Sequence, residues 1–172
     1  MKNVLVVVDM QNDFIDGSLG SPEAVSIVPA VAEKIRSWDG ELIFTLDTHG
    51  EDYLSTNEGR HLPVPHCIKG SDGHRLAPMV EDARADRGTV IEKGAFGSLE
   101  LADMLRRIDC ENITLVGLCT DICVISNAMI VKAALPEANV IVDASCCAGV
   151  TPESHKNALD AMASCQIEII NG

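Results

Sequence analysis

Short apolar runs alternate along this chain with segments in which apolar residues recur at helical spacing. Most of the runs are closed by a polar residue, and such runs are typical of strands buried on both faces of a parallel sheet. We predict one domain over residues 1–172, a three-layer α/β/α fold with a mostly parallel central sheet of about six strands. The predicted strands are Val4–Val8, Leu42–Leu46, Thr89–Glu92, Asn112–Val116, Val140–Val142 and Ile167–Ile170.

The segments between these runs predict the helices and one long loop. Ser18–Pro22 is rich in turn residues, and a helix is predicted after it through Trp38, with Pro29 near its first turn. Residues 48–72 have no sustained periodicity and contain many glycines, prolines and histidines. So long a loop in a compact domain usually carries function. Further helices are predicted at His74–Ala83, after Ser98, after Val124, and from Pro152 to Ala163.

Composition excludes several classes of protein. No apolar run reaches the roughly 18–20 residues of a membrane helix, and Met1–Asn3 lead straight into a strand rather than a signal peptide. The seven cysteines are odd in number and lack a CxxC rhythm, so we expect no disulfide framework and a cytoplasmic protein. Adjacent Cys146 and Cys147 follow a predicted strand, where packing is their expected role. The net charge of −13 argues against nucleic acid or an anionic membrane as the main partner.

Polar or reactive residues follow four of the predicted strands. Asp9, Asp47 and Lys93 close the first three, and the chain after Asn112–Val116 enters an elbow that contains Cys123. Because ligands bind outside the carboxyl ends of parallel strands, we expect these four side chains to converge on one site.

The elbow, Gly117–Val124, joins a buried strand to a helix. Thr120 and Asp121 are suitable N-caps, so we predict that Cys123 lies in the first turn of that helix. Free backbone N–H groups and the positive end of the helix dipole favour a thiolate there. The alternative is that Cys123 is a small buried hydrophobic residue, as most cysteines are.

An aspartate, a lysine and a cysteine form a workable set for acyl transfer. Cys123 would attack a carbonyl carbon, while Asp9 takes the thiol proton and passes it to the leaving group. Lys93 would keep Asp9 ionised and counter developing negative charge. Backbone N–H groups of the elbow would form an oxyanion hole.

A second set of potential ligands follows the second strand. Asp47 and His49 are two residues apart and would point the same way in extended chain, so both can bind one metal ion. Glu58, His61 and His66 in the long loop offer further ligands. Nitrogen and carboxylate ligands suit Zn²⁺ and would also accept Mn²⁺ or Fe²⁺. The alternative is a polar surface loop with hydrogen-bonding histidines.

Five sequence motifs occur in order along nearly the whole chain. They are V-V-D-M-Q-N-D-F at Val7–Phe14, L-D-T-H at Leu46–His49, P-H-C-I-K-G-S at Pro65–Ser71, E-K-G-A-F at Glu92–Phe96 and G-L-C-T-D-I-C-V at Gly117–Val124. This series resembles the isochorismatase-like cysteine hydrolases, and within them the nicotinamidases. The D-x-H motif with a downstream H-C-I-K-G resembles the metal-containing nicotinamidase branch.

The resemblance implies roles for particular residues. Asp9, Lys93 and Cys123 match the family's catalytic triad. A cis peptide bond is implied between Leu118 and Cys119. The backbone N–H groups of Cys119 and Cys123 would then point at the oxyanion.

Metal ligands and a substrate contact are implied in the same way. Three residues match the family's metal ligands: Asp47, His49 and His66. In the family, the metal ion held by these ligands binds the pyridine nitrogen of the substrate. Glu58 resembles the carboxylate ligand of some members, since Ser55 stands where many members have another histidine. Phe14 matches an aromatic residue that lines the substrate ring. The tryptophan that some members stack on this ring is absent from the H-C-I-K-G-S-D-G segment.

The implied function is hydrolysis of nicotinamide to nicotinate and ammonia through a thioester at Cys123. One divalent transition metal is expected, zinc foremost and manganese or iron next. The alternatives are a C–N hydrolase of another small amide, such as a carbamoyl or ureido compound, and a non-catalytic metal- or ligand-binding member of the fold. Isochorismate hydrolysis is a third alternative, but the presence of Cys123 argues against it. The expected partners are a small amide substrate and further copies of the chain in a homo-oligomer.

Overall fold

The computed structural model describes residues 2–172 and has a six-stranded sheet at its centre. The strands are β1 (Asn3–Val8), β2 (Glu41–Asp47), β3 (Thr89–Lys93), β4 (Asn112–Leu118), β5 (Asn139–Ala148) and β6 (Glu168–Ile170). Their order across the sheet is β3-β2-β1-β4-β5-β6, and every pairing between them is parallel. The predicted α/β fold is therefore confirmed.

Apolar cores lie on both faces of the sheet, and β1 shows how they divide. Val4, Val6 and Val8 belong to one core, whereas Leu5 and Val7 belong to the other. Side chains alternate across a strand, so a run that is apolar at every position requires cover on both faces. All five side chains are fully buried.

Helices supply this cover. Within residues 2–172 they are α1 (Asn12–Ile15), α2 (Pro22–Ser37), α3 (Asn57–His61), α4 (Pro78–Arg84), α5 (Leu99–Ile108), α6 (Ile125–Ala134) and α7 (Pro152–Ser164). Helices α2 and α4 pack on the face that carries Leu5, and α5, α6 and α7 pack on the opposite face. As predicted, Ser98 and Thr151 cap α5 and α7. In this part of the chain no helix combines the length and the apolar character needed to cross a bilayer.

The first long helix is longer than predicted. Helix α2 begins at Pro22, because Ser21 accepts a hydrogen bond from the Ala24 N–H and proline suits the first helical turn. Pro29 consequently lies inside the helix rather than near its start. Its ring is exposed, so water can satisfy the carbonyl group that lacks an N–H partner.

The fifth strand is also longer than predicted. Strand β5 continues past Asp143, so Cys146 and Cys147 lie within a strand and not after one. The two side chains belong to the cores on opposite faces of the sheet, which confirms a packing role for each. The prediction failed because a carboxylate interrupts the apolar run, but Asp143 is buried in an ion pair with Lys34.

The loop after β2 contains short elements of its own. Residues Tyr53–Ser55 and Asp72–His74 form 3₁₀ turns, with α3 between them. His49 pairs with Ile68 in an isolated parallel bridge, which folds the loop back over the end of β2. The helix predicted from His74 begins only at Pro78, because proline is favoured in a first turn and disfavoured within a helix.

Candidate active site

The carboxyl ends of four adjacent strands bring together the side chains that were predicted to converge. Asp9 follows β1, while Asp47 and Lys93 end β2 and β3 and are paired in register. The segment that carries Cys123 follows β4. Asp9 has a φ of 48°, a left-handed conformation that is uncommon for residues other than glycine. Backbone conformations of this kind cluster at functional sites.

Lys93 lies between the carboxylate and the thiol. Its Nζ atom is 2.7 Å from Asp9 Oδ2 and 3.5 Å from Cys123 Sγ, and it donates to the Ala95 carbonyl at 3.0 Å. The Thr45 hydroxyl donates to Asp9 Oδ1 at 2.6 Å. Oδ2 accepts no well-aligned hydrogen bond, although the ammonium is close. This oxygen is therefore free to accept a proton from the thiol.

Burial and neighbouring charges set the protonation states of these groups. Burial lowers the pKa of Lys93, but Asp9, Cys123 and Asp47 raise it more, so the ammonium keeps its proton. Burial raises the pKa of Asp9, and Lys93 opposes that shift only in part. Burial, together with the Asp9 carboxylate, also raises the pKa of the Cys123 thiol well above its usual range. This shift is opposite to the one expected from the helix end, because a side chain only 5% exposed has lost the water that would stabilise its charge.

The segment that carries Cys123 is a π-helical turn, Thr120–Val124, and not the first turn of an α-helix. Helix α6 begins after it, at Ile125. In a π turn the hydrogen bond spans five residues, as in the bond of 3.0 Å from the Val124 N–H to the Cys119 carbonyl. One such turn has no apolar periodicity of its own, so the sequence pattern did not reveal it.

The residues predicted to cap this helix have other partners. The Thr120 hydroxyl lies 2.7 Å from a ring nitrogen of His155, and Asp121 accepts a hydrogen bond from the backbone before α7. Cys119 occupies the N-cap position instead. The peptide bond that precedes Cys119 is cis, as the resemblance implied. An oxyanion hole formed by the Cys119 and Cys123 N–H groups stays a prediction.

Two imidazoles and two carboxylates converge beside these groups. The ligand atoms of this metal-type cluster all lie within 4.8 Å of one another, and they come from Asp47, His49, Glu58 and His66. His49 Nε2 is 2.9 Å from Asp47 Oδ2 and 3.5 Å from Glu58 Oε1. His66 Nε2 is 3.3 Å and 3.5 Å from the same two oxygens. Two nitrogen and two oxygen donors at this spacing fit one divalent transition metal.

Neighbouring groups orient the rings of the metal-type cluster. His66 Nδ1 lies 2.7 Å from the Val64 carbonyl, so Nδ1 carries the proton and the Nε2 lone pair faces the cluster. Tyr53 meets the rings of His49 and His66 edge-on, with centroids 4.8 and 4.9 Å away. His61, the alternative ligand, is exposed, and its Nδ1 donates to the chain within α3. Of these two loop residues, Glu58 therefore belongs to the metal-type cluster and His61 does not.

A cavity of about 260 Å³ opens beside the thiol and the metal-type cluster. Asp47, Glu58, His66 and Cys123 form its polar end. Phe14 lies in the wall as predicted, with its ring centroid 5.4 Å from that of His66. Such a cavity fits a small, flat apolar molecule that carries a few polar groups. The apolar wall is formed chiefly by Phe14, Leu19, Leu62, Phe96, Ile122 and Val150.

Sequence analysis missed several residues that hold this site in place. The side-chain amide of Gln11 donates to the carbonyls of Asp47 and His74 at 2.8 and 2.9 Å, and its oxygen accepts from the Asp47 N–H. Thr45 and Tyr53, described above, are the others. The available signal was modest: Gln11 belongs to the first motif, and Thr45 is a polar residue inside an apolar strand.

Comparison with known proteins gives a consistent result. A sequence model described as the isochorismatase domain matches residues 3–172. The chain is 31% identical to the "uncharacterized isochorismatase family protein PncA" of Bacillus subtilis, over 95% of this chain and 96% of the relative. It is 25% identical to the nicotinamidase/pyrazinamidase of Mycobacterium tuberculosis, over 96% and 97% of the two chains. The crystal structure of pyrazinamidase of Pyrococcus horikoshii in complex with zinc matches it with a TM-score of 0.85 at 28% identity, covering 100% of each chain. The chain belongs to the isochorismatase family.

Proposed function

We propose that the protein is a nicotinamidase, which hydrolyses nicotinamide to nicotinate and ammonia. The proposal depends chiefly on one small cavity. Its walls are mostly apolar, and two groups of reactive or metal-binding side chains lie beside it. One is the Cys123 thiol beside Asp9 and Lys93, and the other is the metal-type cluster. The relatives named nicotinamidase/pyrazinamidase and pyrazinamidase support an aromatic carboxamide as the substrate.

Asp9 and Cys123 would carry out the first chemical step. With the amide carbonyl over the sulfur, Asp9 takes the thiol proton while Sγ bonds to the carbonyl carbon. Lys93 keeps its positive charge beside both groups and stabilises the negative charge as it moves to the carbonyl oxygen. The backbone N–H groups of Cys119 and Cys123 would donate hydrogen bonds to that oxygen.

The C–N bond breaks next, and Asp9 serves as acid and then as base. The amide nitrogen takes the proton from Asp9 and leaves as ammonia, so that the acyl group stays on Cys123 as a thioester. Water then gives a proton to Asp9 as its oxygen bonds to the carbonyl carbon. The C–S bond breaks, the proton on Asp9 returns to the sulfur, and nicotinic acid leaves and gives its remaining proton to water to become nicotinate. A carboxyl whose pKa is raised by burial suits both transfers.

We propose further that the metal-type cluster holds one divalent metal ion, zinc foremost. Two of its four ligands are carboxylates, so Mn²⁺ and Fe²⁺ would compete. When bound, the ion would supply a Lewis acid for the ring nitrogen of the substrate. Support comes from the converging donors, from the free lone pair of His66, and from the zinc complex of the Pyrococcus horikoshii relative. Phe14 would pack against the ring.

An ammonia-release assay over a panel of small amides, with metal analysis of the same sample, tests these proposals. We expect turnover of nicotinamide and pyrazinamide, and much slower turnover of carbamoyl and ureido compounds. Preference for a carbamoyl or ureido compound would instead assign the related C–N hydrolase. A folded, metal-loaded protein that releases ammonia from no amide would be a binding protein.

We also propose that the protein works in the cytoplasm, where it would recover the pyridine ring for NAD synthesis. None of the seven cysteines, all of which lie within residues 2–172, is in a disulfide, which supports a reducing compartment. The homo-oligomer stays a prediction, and light scattering of the purified protein would test it.

A further inference from the structure

Asn127 lies fully buried on α6, one helical turn after Cys123. Its Nδ2 donates to the Cys123 carbonyl at 2.8 Å and to the Phe96 carbonyl at 3.1 Å. Its Oδ1 accepts from the Ser98 N–H at 2.9 Å. Both amide hydrogens and the oxygen thus have partners. These partners also fix which way the amide points, because only its NH₂ end can serve two carbonyls.

The groups bonded to Asn127 belong to two separate parts of the active site. Cys123 carries the thiol. The segment Gly94–Ser98, which follows β3, places the Phe96 ring in the cavity wall and the Ala95 carbonyl against the Lys93 ammonium. One side chain therefore connects the backbone of Cys123 to that of Phe96, and both residues line the cavity.

The segment lies directly against α6. A Cβ atom at Gly97 would overlap the tip of the Ile130 side chain, which shows how closely the backbone of the segment approaches α6. Contact with an aliphatic side chain has no preferred direction, whereas hydrogen bonds do. The three hydrogen bonds of Asn127 therefore fix the orientation of the Gly94–Ser98 segment relative to α6.

We propose that Asn127 is a positioning residue that sets the distance between the Cys123 sulfur and the Phe96 wall. It would act on kcat through the bond to Cys123, and on KM through its two bonds to the Gly94–Ser98 segment. The proposal rests on the proposed nicotinamidase function, in which the substrate occupies the cavity that both Cys123 and Phe96 line.

Two substitutions separate these effects. Asn127→Ala removes all three bonds, whereas Asn127→Ser keeps a short donor that can reach the carbonyl four residues earlier. Ser126 already bonds the Ile122 carbonyl in this way, at 2.6 Å. We expect Asn127→Ala to lower kcat for nicotinamide at least about tenfold and to raise KM at least about threefold. Asn127→Ser should restore kcat to within about threefold of wild type while KM stays raised.

Ser126→Ala is the matched control, because it removes a similar bond one residue earlier, to the Ile122 carbonyl, and no hydrogen bond to the segment. Its kcat and KM should stay within about twofold of wild type. Circular dichroism and metal analysis would establish that each variant is folded and loaded. If Asn127→Ala does not fold, a raised KM with retained kcat in Asn127→Ser alone would support the proposal.

Several results would overturn this role for Asn127. One is an Asn127→Ser variant whose kcat and KM equal those of the wild type. Another is an equal loss of kcat in Asn127→Ser and Asn127→Ala. A wild-type protein that is folded and loaded but inactive on nicotinamide refutes the proposed function, and this proposal with it. An active wild type with unaffected variants refutes the role of Asn127 alone.

Discussion

At the scale of single residues, two effects act in opposite directions on Cys123. Its place before α6 gives the sulfur access to the positive end of a helix, which favours a thiolate. Burial and the Asp9 carboxylate favour the thiol, and they determine the direction of the pKa shift. A buried neutral thiol next to an unbonded carboxylate oxygen would become a nucleophile only when Asp9 removes its proton. In the proposed mechanism, this arrangement would keep the sulfur unreactive between turnovers.

We expect Cys123→Ala to lower kcat for nicotinamide by about 10³-fold or more, because no other group can form the thioester. The loss of one buried sulfur should change the free energy of unfolding by only about 1 kcal/mol. Cys119→Ala is the matched control, since only its backbone N–H is proposed to act. Ammonia release and thermal unfolding of both variants measure these effects. Substantial turnover by Cys123→Ala would exclude the sulfur as nucleophile.

Asp9→Asn and Lys93→Ala should each reduce kcat by about 10³-fold, and the double variant should be only slightly worse than either. The reason is that a proton acceptor and its charged neighbour act as one unit in the same step. Lys34→Ala is the control, because it breaks another buried lysine–aspartate pair, with Asp143, without altering the triad. Losses that multiply in the double variant would mean that Asp9 and Lys93 act independently.

At the scale of elements, the carboxyl ends of the first three strands were predictable, whereas the end of β5 and the turn after β4 were not. Runs that are apolar at every position identify parallel strands, and parallel strands place Asp9, Asp47 and Lys93 at one edge of the sheet. The π turn carrying Cys123 leaves no such trace. Nor do the bonds of Asn127 to Ser98 and Phe96, because these two partners are about 30 positions away in the chain.

The long loop shows the same division. Its histidines and glutamate were recognisable as ligands, and α3 decides between two of them. Glu58 lies in the first turn of α3 and points at His49 and His66, whereas His61 at the other end is exposed. One short helix thus separates a member of the metal-type cluster, Glu58, from another residue able to bind metals, His61.

We expect Glu58→Ala to lower metal content and nicotinamide turnover together, because it removes one of four converging donors. We expect the metal affinity of this variant to fall by about 10-fold or more. His61→Ala, on the same helix but outside the metal-type cluster, should change neither quantity. Elemental analysis and ammonia release on both variants decide the matter. Metal loss in His61→Ala with retention in Glu58→Ala would reverse the assignment.

At the scale of the whole molecule, Asp143 joins distant parts of the chain. Its carboxylate pairs with Lys34 of α2 and accepts hydrogen bonds from Ser145 and, near the end of the chain, from Asn171. Burial raises the pKa of this carboxyl, but the three partners lower it more, so the pKa lies below its usual value. A carboxyl with a lower pKa in the folded state stabilises the fold above its unfolded pKa of about 3.9. That stabilisation is lost as the pH falls through the folded value.

Asp143→Asn should therefore lower the free energy of unfolding by about 2 kcal/mol at pH 7. The difference from wild type should shrink as the pH falls below about 4, because the wild-type carboxyl then loses its charge. Urea unfolding between these pH values measures the difference. Asp160→Asn is the control, since its pair with Lys156 is exposed and should contribute little. A difference that does not vary with pH would mean that charge at Asp143 is unimportant.

The order of the strands matters while the chain is being made. Strand β1 lies between β2 and β4, so one of its edges can pair as soon as β2 has left the ribosome. The other edge has no partner until β4, which begins at Asn112, and until then its N–H and C=O groups can pair with a neighbouring nascent chain. The turn that carries Cys123 is translated directly after β4. Closing this vulnerable edge and adding Cys123 to Asp9 and Lys93 therefore depend on the same stretch of newly made chain.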